Sequence, residues 1–316
     1  MALITDKKVV VFVGGVGGAK LALGLQQIVT AENLTIIINT GDDFWHYGLR
    51  ICPDIDTVLY TLSGRVNPEF GWGVADDTTI TLDALKTIGE SPWFLLGDKD
   101  LATHLLRTHL LRQGQTLTQI VQHLAKQMGI QATILPMTNA EVPTMVHTQE
   151  QGILEFQEYF VKHRWQPTVS SLEYRNMASA NVSPQVATAL NNADVILFGP
   201  SNPWLSIAPI LSVPTMRERL LSLDIPRIAV TPIVDGQAIK GPAAKIMAEL
   251  GYEVTAQTVA DYYGDVITGF VYDERDDAFN TYAKNSIAFD TIMKTTEDKA
   301  QLAEAILSWV MKMERI

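Results

Sequence analysis

The chain has 316 residues with 24 basic and 35 acidic side chains, a formal net charge of −11. That balance disfavours a general nucleic-acid binder, which presents a basic face, but leaves room for a local basic pocket around one phosphorylated ligand. Its lone cysteine, Cys52, excludes an intrachain disulfide and a cysteine-based metal site, so a reducing cytoplasm is the expected compartment.

No run approaches the roughly 20 apolar residues of a membrane span, and no membrane partner is expected. Residues 9–13, Val-Val-Val-Phe-Val, read as a strand buried on both faces of a parallel sheet. The run is too short for a signal peptide. Gly14-Gly15-Val16-Gly17-Gly18 follows, then a helix over 19–29 and a second buried strand over 34–38. This order opens a doubly wound α/β sheet. Such glycines let backbone N–H groups and a helix N-terminus approach a phosphate. A tight strand–helix turn that needs glycine sterically is the alternative. Lys20 stands where a dinucleotide fingerprint has its third glycine, and Leu21 breaks the phosphate-loop pattern. The second strand ends in Asn39, where an NAD binder places Asp or Glu. A phosphate or nucleotide ligand is expected; ordinary NAD binding is not.

The stretch 39–57 gathers Asp42, Asp43, Asp54, Asp56, Arg50 and His46 with the aromatics Phe44, Trp45 and Tyr47. Carboxylates so concentrated repel one another unless a cation or donors hold them. Magnesium takes one or two protein carboxylates plus substrate phosphates, and these four aspartates can supply them. Asp54 or Asp56 can equally cap the helix expected over 56–62. The aromatics offer flat surfaces to a ring-shaped ligand. Cys52 reads as a packed thiol.

Helices are expected over 77–88, 102–112 and 117–128. Between the first two lies Gly97-Asp98-Lys99-Asp100, with His104 and Arg107 beyond it. Asp100 caps the helix, or Lys99, His104 and Arg107 reach an anionic substrate. From 132 to 174 the pattern changes to short segments, 144–148 and 154–160, that read as strands of a smaller α+β subdomain. The parallel pattern then returns: a helix over 184–192, and a strand over 194–198 running into Gly199-Pro200-Ser201-Asn202-Pro203. This is the carboxyl edge where such folds bind ligands. Ser201 and Asn202 hydrogen-bond a phosphate or base there, or the segment is only a proline-rich turn. A strand over 227–231, a loop carrying Lys240 toward a phosphate, a helix over 242–250 with Lys245 facing solvent and an amphipathic helix over 296–313 complete the chain. The expected fold is α/β, a Rossmann-like doubly wound, mostly parallel sheet. Its core spans 1–131 and 175–316 with a helical insertion, and 132–174 forms the small subdomain.

Taken in order, Gly14-Gly-Val-Gly-Gly-Ala-Lys20, Asn39-Thr-Gly-Asp-Asp43, Gly48-Leu-Arg-Ile-Cys-Pro-Asp-Ile-Asp-Thr57, Leu96-Gly-Asp-Lys-Asp-Leu-Ala-Thr-His104, Leu135-Pro-Met137 and Gly199-Pro-Ser-Asn-Pro203 form a joint signature. It resembles the 2-phospho-L-lactate transferase family of deazaflavin coenzyme F-420 biosynthesis, including its bacterial phosphoenolpyruvate type. The resemblance reaches to about Asp276. It implies transfer of a phosphoenolpyruvyl or 2-phospho-L-lactyl group from a guanosine diphosphate-linked donor. The acceptor is the ribityl hydroxyl of 7,8-didemethyl-8-hydroxy-5-deazariboflavin; GMP leaves, Mg2+ is required and a homodimer is expected.

On this resemblance Gly14, Gly15, Gly17, Gly18, Ser201 and Asn202 meet the guanosine nucleotide, and Lys20, Asn39 and Pro200 complete that binding set. Asp43 and Asp56 are the first metal ligands and catalytic groups, with Asp42 and Asp54 supporting. Asp56 is the favoured proton acceptor. Asp56 and Leu95 lie against the deazaflavin, Trp45 stacks on its ring, and Arg50 and Lys99 screen the donor's carboxylate or phosphate. Asp56→Ala is expected to abolish transfer and leave the thermal midpoint within a few degrees. The alternative is a relative of the same fold that binds a nucleotide sugar as a regulator. The aromatic-acidic run between Asp43 and Asp56 favours the deazaflavin reading.

Overall fold

The computed structural model describes residues 6–239, 241–276 and 285–313; Lys240 lies outside them. In chain order the first half comprises β1 (Val9–Val13), α1 (Gly15–Ile28), β2 (Leu34–Ile38), β3 (Phe44–His46), β4 (Leu49–Ile51), α2 (Pro53–Leu62), α3 (Ile80–Thr87), α4 (Asp98–Arg112), α5 (Leu117–Gln127) and β5 (Thr133–Pro136). A small unit follows: β6 (Thr144–Thr148), β7 (Gly152–Glu155) and β8 (Val169–Tyr174). The second half holds α6 (Pro184–Asn191), β9 (Val195–Phe198), α7 (Ala208–Ser212), α8 (Met216–Leu221), β10 (Arg227–Val230), β11 (Ile233–Val234), β12 (Gln237–Ala238), α9 (Ala243–Glu249), α10 (Ala256–Tyr263), β13 (Gly269–Asp273), β14 (Asn285–Phe289) and α11 (Thr296–Met313).

Seven strands form one sheet in the order β14-β13-β10-β9-β1-β2-β5, parallel throughout. Every β1 residue is buried, because alternate side chains enter opposite layers. Val9, Val11 and Val13 pack with α1, α2, α5 and α11. Val10 and Phe12 pack with the helices between α6 and α10. The strand order reverses between β1 and β9, and the crevice beyond their carboxyl ends is where this architecture seats ligands.

The β3–β4 hairpin turns through Tyr47 and Gly48, both at positive φ (47° and 71°), the turn that matches strand twist. It pairs Trp45 with Arg50 across the strands. Helix α2 starts at Pro53, earlier than the sequence predicts. Proline suits a first helical position, and Asp54 and Asp56 in the first turn complement the helix dipole.

Helix α4 starts at Asp98, and Asp100 does not cap it. Asp77 does, accepting from the N–H groups of Lys99 (2.7 Å) and Asp100 (3.0 Å). Asp98 in turn caps α3 through the N–H groups of Ile80 (2.9 Å) and Thr81 (3.0 Å).

The antiparallel sheet β7-β6-β8 packs through Val146, Phe156, Tyr159 and Val169 on Leu205 and Ile246. The strand predicted over 154–160 ends at Glu155, and a helical turn occupies Glu158–Lys162. Phe156 and Phe160 stack with ring centroids 5.5 Å apart. Their four-residue spacing is helical, and it also satisfies an alternating pattern. Lys245, predicted to face solvent, instead bonds Pro167 O (2.9 Å) and Glu249 (2.7 Å). Among the described residues no helix is long and apolar enough to cross a membrane.

Candidate active site

The glycine loop meets the loop after β9 at the switch point. Ser201 Oγ accepts from Gly14 N (3.0 Å) and donates to Gly14 O (2.7 Å). A Cβ on Gly17 would lie 2.3 Å from Pro200 O, and one on Gly18 would lie 2.7 Å from Ser201 Oγ. These glycines therefore let the Gly199–Asn202 loop dock on α1. Asn202 caps the next turn, its Oδ1 accepting from Trp204 N (2.9 Å) and Leu205 N (3.1 Å). Lys20 lies farther along α1, and its ammonium donates to Met293 O (2.8 Å). Gly17→Ala should push the Pro200 carbonyl out of place and destabilise the chain by about 1–3 kcal/mol; chemical denaturation measures this.

The four aspartates divide into three environments. Asn39 is fully buried, and its Nδ2 donates to Asp42 Oδ1 (3.0 Å) and Asp54 Oδ2 (2.9 Å). One amide thus joins two carboxylates. Burial pushes Asp42 well above the ordinary carboxylate range, and the Asp54 charge adds to it. Burial lifts Asp54 to about 6 against hydrogen bonds from Asn39 and Gly15.

Asp43 stands differently. Both its oxygens are buried, and neither has a well-formed hydrogen bond among the described residues. Arg50 Nη2 lies 3.5 Å away. Burial lifts Asp43 to about 7 despite that guanidinium. Burial also pushes the Cys52 thiol up, which suits a packed rather than reactive cysteine.

Asp56 is gripped by Arg107, whose side chain is fully buried. Nη1 meets Oδ2 at 3.0 Å, and Nη2 meets Oδ1. His104 Nδ1 lies 3.2 Å from Arg107 Nη1 and 3.5 Å from Asp56 Oδ2. On its other side His104 Nε2 is 3.2 Å from Asp100 Oδ2, and Asp100 Oδ1 accepts from Tyr60 OH (2.6 Å). Burial raises Asp100, but the close approach of His104 and the Tyr60 hydrogen bond outweigh that and hold it low. Asp56, Asp100 and His104 offer ligand atoms within 4.8 Å of one another, a spacing compatible with a divalent metal.

His104 and Arg107, expected at an anionic substrate or on a charged, solvated helix start, both turn inward to Asp56. The signal was present in α4. Its buried residues are Thr103, His104, Arg107 and Thr108, whereas Leu105 and Leu106 are exposed. A helix that buries its polar side has a polar site to build.

Arg50 sits beneath Trp45, with Cζ 5.7 Å from the ring centroid. Glu141 joins them, accepting from Trp45 Nε1 (3.1 Å) and lying 3.6 Å from Arg50 Nη1. Trp45 keeps 45% of its surface exposed and Leu95 46%. Phe44 and His46 face the other way, into Trp93 and Phe94. Burial pushes His46 down. Lys99 is not among the aspartates. Its ammonium holds the carbonyls of Ala75 (3.0 Å) and Asp76 (2.6 Å). It lines a cavity of about 420 Å³ with Tyr60, Arg65, Val74, Ala75, Thr103 and Met128.

Fold and site define a doubly wound α/β protein with an acidic cluster beside the glycine loop at the sheet's switch point, and its relatives mark it as an enzyme that transfers a group. The chain belongs to the 2-phospho-L-lactate transferase CofD family, whose model matches residues 9–309. It is 40% identical over 302 residues to the 2-phospho-L-lactate transferase of Methanosarcina mazei, covering 94% of this chain and 99% of that one. It is 39% identical over 274 residues to the phosphoenolpyruvate transferase of Streptomyces coelicolor, covering 85% and 86%. In fold it is like a UPF0052 family protein from Bacillus halodurans, with a TM-score of 0.62 at 16% identity, covering 96% of this chain and 99% of that one. The motif resemblance and the doubly wound fold are borne out.

Proposed function

We propose that this enzyme moves a phosphoenolpyruvyl or 2-phospho-L-lactyl group from a guanosine diphosphate-linked donor to the ribityl hydroxyl of 7,8-didemethyl-8-hydroxy-5-deazariboflavin. GMP is released, as a step of coenzyme F-420 biosynthesis in a cytoplasmic homodimer. The observation that carries this reading is Asp43, with two buried oxygens lacking good hydrogen-bond partners beside Arg50. A hard dication satisfies such oxygens.

Magnesium fits here. Asp43, with Asp42 and Asp54 nearby, offers the oxygen donors it prefers. An ionised carboxylate has about four acceptor positions, so Asp56 keeps some after Arg107 takes two. When bound, the ion supplies neutralisation of the charge on the transferring phosphate.

The acceptor hydroxyl oxygen bonds to the donor's distal phosphorus, and the bond from that phosphorus to GMP breaks. The hydroxyl proton passes to Asp56. In-line transfer of this kind depends on positioning more than covalent catalysis. The nucleotide lies along Gly14, Gly15, Gly17, Gly18, Asn39, Pro200, Ser201 and Asn202, where the glycines and Ser201 act by shaping the loop. Trp45 and Leu95 present apolar surface to the deazaflavin, Arg50 faces the donor's charge, and Lys99 acts at the margin. We assign Lys20 to helix anchoring.

Equilibrium binding of the fluorescent deazaflavin tests this reading against the nucleotide-sugar regulator. With magnesium and GDP present, deazaflavin fluorescence should change saturably, and a UDP-sugar should not compete. Saturable UDP-sugar binding without deazaflavin binding would favour the regulator.

A further inference from the structure

We infer that Arg107 is a positioning residue for transfer, fixing Asp56 in one orientation, and that His104, Asp100 and Tyr60 hold Arg107 in turn. The inference rests on the proposed transfer reaction and adds a division of labour within it. Among the described residues, the hydrogen-bond partners of the Arg107 guanidinium are Asp56, His104 and the Arg50 carbonyl (3.3 Å), not the glycine loop or Asp43.

The direction of each bond is set by chemistry. Arginine only donates, so His104 Nδ1, 3.2 Å from Arg107 Nη1, must accept. The imidazole proton then sits on Nε2, which faces Asp100 Oδ2 at 3.2 Å. The other oxygen of Asp100 accepts from Tyr60 OH (2.6 Å). One buried series of contacts therefore runs Tyr60–Asp100–His104–Arg107–Asp56, in which the His104–Asp100 link is a 3.2 Å approach and not a formed hydrogen bond. It ties α4 to the first turn of α2, where Asp56 stands.

A buried ion pair is a weak way to add stability, since apolar side chains of similar volume often do as well. What a two-point guanidinium–carboxylate contact adds is a fixed plane and direction. Both Nη atoms of Arg107 are committed to Asp56, which leaves the buried Nε as its one donor nitrogen without a partner among the described residues. A carboxylate that must meet a hydroxyl proton gains from such a mount, since misplacement of about 1 Å costs about 10²-fold in rate.

The test is steady-state transfer by Arg107→Lys, Arg107→Ala, His104→Asn and His104→Gln beside the wild type. Arg107→Lys should lose about 10²-fold in kcat with KM for donor and acceptor within about threefold. Added guanidinium at sub-denaturing concentration should recover part of the Arg107→Ala loss and none of the Asp56→Ala loss. Asparagine keeps an acceptor near the Nδ1 position and glutamine does not, so His104→Asn should retain more activity than His104→Gln. Were Arg107→Ala too unstable to assay, the His104 pair would decide. A kcat within about threefold of wild type for Arg107→Lys, a loss confined to KM, or His104→Gln outperforming His104→Asn would each overturn the inference. A wild-type chain that makes no product would instead overturn the transfer reading, and this inference with it.

Discussion

Asp43→Asn is expected to lower kcat by about 10²–10³-fold and to raise, not lower, the stability of the metal-free chain near neutral pH. The rate effect follows from losing an aspartate whose two oxygens are both buried and lack good partners among the described residues. The stability effect follows from its titration. Burial lifts the carboxyl from 3.8 to about 7 in the folded chain. Between those values the folded chain binds a proton that the unfolded chain has released. The Asp43 contribution is therefore fully present below about pH 4 and is lost as pH rises to about 7. Asparagine carries no such loss, so the gap between variant and wild type should widen across that window, by on the order of 1.4 kcal/mol for each pH step of one. Denaturant melts at several pH values without divalent cation measure it. Parallel pH profiles for the two proteins would count against a strained Asp43.

Asp56→Ala is expected to abolish transfer and also to melt earlier by more than the few degrees that the sequence alone predicts. Removing Asp56 strands a fully buried guanidinium. Breaking one side of such a pair costs about 3–5 kcal/mol, roughly 5–15 °C in a chain of this size. Asp56→Ala/Arg107→Met removes both charges and should recover most of the midpoint while remaining inactive. Calorimetry separates the outcomes. An Asp56→Ala protein that melts with the wild type, or a double variant no more stable than the single one, would contradict the pairing.

The sequence made the sheet and its switch point legible because each rests on local pattern. Five apolar residues followed by glycines fix β1 and its turn, and the loop at Gly199 follows β9 at once. The grouping of the acidic residues was legible too, since all four stand within one short stretch. Their division was not, because it depends on distant partners. Arg107 is 51 residues from Asp56, and Ser201 is 187 from Gly14. No local rule says which carboxylate such partners will occupy and which will stay free. The phosphate-site reading of the glycines had a steric alternative, and the close approach of Pro200 to Gly17 shows that the steric demand is real. Trp45 reads from the sequence as a flat surface for a ring. Its exposure and its seat over Arg50 keep it available for that role while giving it a structural one.

The central claim, transfer of a three-carbon phosphoryl group to a deazaflavin hydroxyl, is open to one direct measurement. The full chain is incubated with 7,8-didemethyl-8-hydroxy-5-deazariboflavin, magnesium and each guanosine diphosphate-linked donor in turn, and the products are weighed by mass spectrometry. The deazaflavin should gain the mass of a phosphoenolpyruvyl or phospholactyl group with one GMP released per product, and nothing when magnesium is chelated. An unchanged deazaflavin with both donors, under conditions where the chain is folded and magnesium is present, would contradict the claim.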